Sequence, residues 1–219
     1  MKRKKLIVLV VVLVLGVLCG IYYLQDSNDP YSNYNQISPR QTLMQRDSNT
    51  YYVYFYKADC SYCKEIEKEI KSFADKDNNY VYFVNTEDNK KDIESYDWLN
   101  FNTKNDIEIG KLEDGEKVEY YDGESNEKYL NNEKTNQYGK VIRYEIIIAD
   151  EKYMETNKNA KEGYVYASIQ TPEIDYSELE IGREPIIAGV PTLLKIENKE
   201  VTEFYFDSVE IKPFLEDMK

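Results

Sequence analysis

The sequence of this 219-residue chain predicts a mixed α/β protein in which a central sheet is flanked by helices. Two strand-type segments, Tyr51–Tyr56 and Tyr80–Asn85, enclose a helical pattern, and this strand–helix–strand order is typical of a parallel strand pair. Near the other end, two further strand-type segments surround the turn Glu197–Lys199, which predicts an antiparallel hairpin. The chain is therefore expected to contain both a parallel and an antiparallel strand pair.

The first residues predict a membrane anchor. Residues 1–5 are a methionine and four basic residues, and Leu6–Leu24 follows as 19 residues without a charge. At about 1.5 Å per residue, a helix of this length nearly spans a hydrocarbon core of about 30 Å. A cleaved signal peptide is less consistent with the sequence, because no A-x-A-like site follows the apolar run. Lipidation at Cys19 is disfavoured because Leu18 is too large for such a site. We therefore expect a cytoplasmic tail and an uncleaved transmembrane helix.

The basic tail also predicts the orientation and the charge of the exported part. Basic residues stay on the cytoplasmic side, so we expect a single-pass cell-membrane protein whose remaining residues lie outside the cytoplasm. Without the four basic residues of the tail, the net charge of −13 becomes −17. Such a surface repels phosphate backbones, so nucleic acid is not an expected partner.

The segments after the anchor are predicted in chain order. Residues 25–36 are polar and predict a stalk. Ser38–Pro39 is a typical helix start, and a short helix is expected to about Arg46. The strand Tyr51–Tyr56 is aromatic and β-branched throughout, which predicts burial on both faces. Apolar residues then recur at helical spacing and predict a helix to about Ala74: Tyr62, Ile66, Ile70 and Phe73.

Residues 89–185 differ in composition and predict an inserted mixed or β-rich subdomain. Asp114–Gly115 is a hairpin signal, and a helix is expected near Glu151–Asn159. A short closing helix is expected over Val209–Lys219, with Pro213 in its first turn. The strands expected in the insertion are Ile107–Leu112, Val118–Tyr121, Tyr144–Ile148 and Tyr164–Ile169.

Two of the three cysteines, Cys60 and Cys63, form a C-x-x-C motif where a strand gives way to a helix. Unpaired N–H groups in the first turn of a helix favour a negatively charged sulfur, so Cys60 is the expected nucleophile. Cys63 lies one helical turn later and can attack a mixed disulfide formed at Cys60. A structural disulfide would close a very small loop, and a zinc site would need ligands that a chain without histidine scarcely offers. A redox pair is favoured, and no metal or cofactor is expected.

A second segment, Ala188–Ile196 with the sequence AGVPTLLKI, resembles the cis-proline segment of the thioredoxin superfamily. The resemblance implies a thioredoxin-like domain, with a central mixed sheet flanked by helices, formed by residues 37–88 and 186–219. It implies Cys60 as nucleophile and Cys63 as resolving residue. It also implies that Val190 and Pro191 present a backbone edge to the substrate, and Tyr62 is expected to join them in substrate binding. We expect a cis Val190–Pro191 bond, with the proline ring or the Val190 carbonyl in contact with a cysteine sulfur.

The chain departs from thioredoxin at several positions. Ser61-Tyr62 stands between the cysteines in place of Gly-Pro, so thioredoxin's reducing power is not implied. Tyr54 occupies the position of thioredoxin's buried acid, and Asp59 that of the tryptophan before the first cysteine. As a helix N-cap, Asp59 would stabilise the helix but oppose a negative charge on Cys60.

The favoured function is a membrane-anchored thiol–disulfide oxidoreductase. Its partners would be thiols or disulfides of exported proteins and a redox partner that recycles the cysteine pair. The sequence does not decide between oxidation, reduction and isomerisation, because the potential depends on how far each thiolate is stabilised. The alternative is an extracytoplasmic binding or scaffold protein on the same fold, with idle cysteines and the insertion as its partner-binding surface.

Overall fold

The computed structural model describes residues 29–46, 48–115 and 117–218. The expected tail at 1–5, the anchor at 6–24 and the first residues of the expected stalk lie outside these ranges. Within them, the structure has no helix that is both long and apolar enough to cross a membrane.

The described chain is an α/β protein of short strands and helices. The strands are β1 (Thr50–Tyr56), β2 (Val81–Asn85), β3 (Glu94–Ser95), β4 (Ile107–Glu113), β5 (Lys117–Tyr120), β6 (Tyr144–Ile148), β7 (Tyr164–Ile169), β8 (Ile186–Ile187), β9 (Thr192–Glu197) and β10 (Glu200–Phe206). The α-helices are α1 (Ser61–Glu65), α2 (Glu67–Ala74), α3 (Trp98–Asn105), α4 (Asn126–Leu130), α5 (Glu151–Met154) and α6 (Asp207–Asp217).

The central sheet has the strand order β10-β9-β1-β2. β1 is parallel to β2 and antiparallel to β9, and β9 and β10 form an antiparallel hairpin. The mixed sheet and the hairpin are therefore as expected. Every residue of β1 except Thr50 is buried, which confirms the strand buried on both faces.

The two faces of this sheet bury separate hydrophobic clusters, because successive side chains of a strand point to opposite faces. On one face, Tyr54 and Leu193 pack with residues of α2 and α6. On the other face, Val53 and Leu194 pack with residues of loops, of a 3₁₀ helix and of the short strand β8: Leu43, Ile174, Tyr176 and Ile187. The expectation of a sheet flanked by helices therefore holds for α-helices on the first face, whereas connecting segments cover the second.

Several helix boundaries differ from the expectations. The helix after the cysteines is divided at Ile66, whose φ of −115° and ψ of 10° are not helical, and whose side chain is buried in the core. The helix expected at 39–46 is a 3₁₀ turn of three residues, and the one near 151–159 ends at Met154. The closing helix begins at Asp207, so Pro213 lies in its interior.

The stalk expectation is wrong for residues 29–36. Tyr31 is only 1% exposed, and its ring lies 4.5 Å from the ring of Tyr56 and 5.0 Å from that of Phe83 between centroids. The Phe83 N–H donates to the carbonyl of Asn35 at 2.8 Å, so this segment continues the sheet beside β2. The polar neighbours concealed the apolar area of the Tyr31 ring, which is large enough to anchor the segment.

Residues 94–187 form most of the remaining structure. Their four-stranded antiparallel sheet has the order β5-β4-β7-β6 and confirms the strands expected between 107 and 169. It buries a small cluster of its own around Ile109, Val165 and Ala167. The short parallel pair β3–β8 lies at the two ends of this region, where the chain leaves and rejoins the central sheet.

Ion pairs connect the segment before β6 to the start of α6. Arg143 contacts Asp207 at 2.9 Å (Nη1 to Oδ2) and Glu210 at 3.4 Å (Nη2 to Oε1), and Lys140 also pairs with Glu210. All four side chains are mostly buried. The Asp207 N–H donates to the Pro191 carbonyl at 2.9 Å. The pairs therefore attach the middle of the chain to the segment that carries Pro191.

Replacing Arg143 by methionine is expected to lower the free energy of unfolding by about 1–3 kcal/mol, because it leaves Asp207 and Glu210 together without this cation. Burial raises the pKa of Asp207, and Arg143 opposes that rise. Urea unfolding measures the loss, and Arg183→Met, at an exposed arginine, is the matched control. Equal stability of the two variants would show that the pairs contribute no more than surface charges.

Candidate functional site

Cys60, which the sequence predicts to be the nucleophile, lies at the junction of β1 and α1. Cys60, not Asp59, is the N-cap of α1: the Cys63 N–H donates to Cys60 Sγ at 3.2 Å. The expected capping role of Asp59 is therefore wrong, and its side chain is exposed. The loop holds Cys60 through its own N–H, which donates to the Lys57 carbonyl at 3.3 Å. Cys60 is half-buried, so its sulfur is accessible yet positioned.

Val190 faces Cys60 across the site. The Cys60 thiol donates to the Val190 carbonyl at 3.5 Å, although the two residues are 130 positions apart. The Val190–Pro191 bond is cis. Both findings confirm what the sequence predicts for this segment. In the described part of the chain, the Val190 N–H makes no hydrogen bond, so this backbone edge is free to pair with another extended chain.

Cys63 lies beneath Cys60 in the core. Its side chain is 2% exposed, and burial raises the pKa of its thiol to about 12. Neither Cys60 nor Cys63 is in a disulfide in this structure. The pair therefore combines an accessible sulfur with a buried sulfur that holds its proton strongly.

The side chain of Tyr54 adjoins Cys63 and was not expected to act there. It is fully buried, and within the described ranges its hydroxyl makes no hydrogen bond of standard geometry. The hydroxyl nevertheless lies near enough to Cys63 to lower the pKa of that thiol, against the larger effect of burial. The Tyr31 hydroxyl is also buried without a partner among these residues, and the two rings are 5.5 Å apart. Two buried hydroxyls inside an aromatic core thus lie near the buried sulfur.

Tyr62 is on the outer surface of α1 and is 58% exposed. The start of α6 lies beside α1, because the Ser208 hydroxyl donates to Glu65 at 2.8 Å, and Val209 next to it is 60% exposed. The structure therefore brings Cys60, Cys63, Val190 and Pro191 together, whereas the Tyr62 side chain is exposed to solvent.

A contact from α3 supports the Val190 segment and was missed. The Trp98 indole N–H donates to the carbonyl of Ala188 at 2.6 Å, two residues before Val190. Asp97 caps this helix by accepting from the Asn100 N–H at 2.9 Å. The sequence did contain a signal for the start of this helix, namely an aspartate directly before an apolar residue.

In the residues that the structure describes, no cluster of three or more metal-ligating side chains is present. Comparisons of the chain with protein families, curated proteins and solved structures give no match. The fold and the site define an α/β protein with a pair of free cysteines, one accessible and one buried, next to a free backbone edge.

The titration of Cys63 is expected to depend on Tyr54. In a Cys60→Ser background, Tyr54→Phe should move the midpoint of Cys63 ionisation to higher pH, because a group that lowers its pKa is lost. The free energy of unfolding should stay the same or increase, since the substitution removes a buried hydroxyl that has no hydrogen-bond partner of standard geometry. The Cβ chemical shift of isotope-labelled cysteine follows the ionisation.

The matched control is Tyr56→Phe. The Tyr56 hydroxyl donates to Asp29 at 2.6 Å, so its removal should lower stability without moving the Cys63 midpoint. An unchanged midpoint in Tyr54→Phe would mean that the Tyr54 hydroxyl does not interact with the buried sulfur.

Proposed function

We propose that this chain is a membrane-anchored thiol–disulfide oxidoreductase with a thioredoxin-like fold, acting on exported proteins. The observation that carries the proposal is the 3.5 Å contact between the Cys60 thiol and the Val190 carbonyl, at the start of a helix. Two segments far apart in sequence thereby bring an accessible sulfur beside an unpaired backbone edge. A cysteine pair that served only as a structural disulfide would not require such an edge.

The reaction follows from the positions of the two sulfurs. The Cys60 thiolate attacks one sulfur of a substrate disulfide, a bond forms between them, and the other substrate sulfur leaves as a thiolate. Cys63 then gives its proton to the thiolate that has left, directly or through water, and attacks Cys60 Sγ. The intramolecular disulfide forms, and the second substrate sulfur leaves. Two electrons pass to the substrate, and a dithiol partner returns them; the reverse sequence oxidises a substrate dithiol.

The fold supports the same proposal. The central mixed sheet places β1, which leads into Cys60, next to β9, which follows Pro191. The neighbouring strands position the two halves of the site on a rigid framework, with Phe55 opposite Thr192 in the register. Sites held between adjacent strands keep their geometry better than sites on free loops.

Insulin reduction by the purified full chain with dithiothreitol tests the activity. The full chain should accelerate precipitation of the insulin B chain, and a variant with serine at both positions of the C-x-x-C motif should not. Equal rates for the two proteins would favour the alternative, a binding or scaffold protein with idle cysteines.

Protease treatment of intact cells tests the location. The four basic residues of the tail predict that residues after the apolar run lie outside the cytoplasm. Externally added protease should therefore digest them without lysis. Protection that disappears only after lysis would overturn the proposed orientation.

A further inference from the structure

A cleft with a cavity volume of about 350 Å³ opens directly beside the Val190 edge. Its apolar lining includes Ile93, Ile187 and Val190, and two lysines, Lys57 and Lys90, line it as well. This volume is at the lower end of the range for small-molecule sites, which is about 300–1,000 Å³. It therefore suits one or two side chains and not a folded surface.

The cleft is next to the reactive sulfur. Lys57 is at its wall, and the carbonyl of the same residue accepts the Cys60 N–H. Val190 belongs to the cleft and to the site at once, because its carbonyl contacts the Cys60 thiol. A chain that paired with Val190 and presented a cysteine to Cys60 would thus place neighbouring side chains at the cleft.

The two lysines are available to a ligand. No carboxylate of the described residues lies within 4.0 Å of the Lys57 ammonium. Among the described residues, Lys90 pairs only with Glu87, at 3.3 Å, and the two side chains are 66% and 51% exposed. Such an exposed ion pair contributes at most about 1 kcal/mol to stability, so a ligand carboxylate can take the place of the Glu87 carboxylate. On a chain of net charge −13, the described lining of this cleft contains two lysines and no carboxylate.

We propose that this cleft binds an acidic side chain of the substrate polypeptide, close in sequence to the reacting cysteine. The proposal rests on the function given above and names its substrate class: extended cysteine-containing segments with a nearby aspartate or glutamate. The acidic remainder of the surface repels such a segment over distance. Salt screens that repulsion beyond about 8 Å at physiological ionic strength, while the short contact in the cleft persists.

Peptides that release a coloured thiol test this assignment. Each carries one cysteine in a mixed disulfide with thionitrobenzoate, and glutamate or glutamine is placed at successive positions around the cysteine. The full chain should release thionitrobenzoate roughly threefold to tenfold faster from the best glutamate peptide than from its glutamine counterpart, as a contact of about 1 kcal/mol implies.

The preference should disappear in the double variant Lys57→Gln, Lys90→Gln. The matched control is Lys68→Gln, Lys158→Gln, which removes the same charge at exposed lysines outside the cleft and should keep the preference. Each protein is scored by its ratio of rates for the two peptides, so a partial loss of folded protein cancels.

The outcomes separate the two proposals. Equal release from both peptides, or a preference retained in the cleft variant, would overturn the cleft assignment and leave the oxidoreductase in place. If the full chain released no more thionitrobenzoate from any peptide than its Cys60→Ser variant did, both proposals would be overturned.

Discussion

Replacing Cys60 by serine is expected to reduce disulfide exchange by several orders of magnitude, whereas replacing Cys63 should leave the first step and block the second. Cys60 is the accessible sulfur and caps a helix, so the loss of its thiol removes the nucleophile. Cys63 is almost fully buried, so its role begins only after a substrate is attached to Cys60. Cys63→Ser should therefore accumulate mixed disulfides with its substrates.

Non-reducing electrophoresis of cell extracts, followed by mass spectrometry of the linked peptides, measures this difference. Cys19→Ser is the matched control, because it removes the third cysteine and leaves the pair intact. Trapping by Cys60→Ser in place of Cys63→Ser would reverse the two roles. If neither variant trapped a mixed disulfide and both kept the normal rate of disulfide exchange, the cysteine pair would have no part in the reaction.

Replacing Tyr31 by alanine is expected to lower the free energy of unfolding by about 3 kcal/mol. The ring is 1% exposed and contacts Tyr54, Tyr56 and Phe83. Its removal therefore leaves a large cavity between residues 29–36 and β1. Truncation of a buried aromatic residue costs about 3–5 kcal/mol, and the lower value applies because the Tyr31 hydroxyl has no partner among the described residues. Urea unfolding measures the change.

Tyr80→Ala serves as the control, since that ring is 41% exposed and should change stability little. Similar losses in the two variants would mean that residues 29–36 do not depend on the aromatic core. The same measurement thus tests the correction that this segment is part of the folded domain and not a stalk.

The strands were the most predictable elements of the fold. The run Tyr51–Tyr56 is aromatic or β-branched throughout, and Tyr164–Ile169 is largely so. Turn residues bound both runs, so local composition specifies them. Helix ends were less predictable. The side chain of Ile66 belongs to the helical pattern, but its backbone leaves the helix as the side chain packs in the core. Tertiary packing, which no local pattern records, decided that boundary.

The site was predictable only where sequence neighbours build it. Cys60 and Cys63 form a local motif, and AGVPTLLKI identified Val190 and Pro191 through a resemblance. The position of Tyr54 was noted as a departure, yet its place beside Cys63 depends on how α1 packs on β1. Lys57 and Lys90 come from different loops, and only the fold shows that they share a cleft.

The middle of the chain determines how far this protein could be reduced in size. The Val190 segment is held by β3 through β8, by Trp98 through Ala188, and by Arg143 through Asp207. All three supports come from residues between β2 and β8. A shortened version that joined residue 88 directly to residue 186 would retain both cysteines and the proline. It would lose every one of these supports, so a shortened protein would need new contacts to hold the Val190 segment beside Cys60.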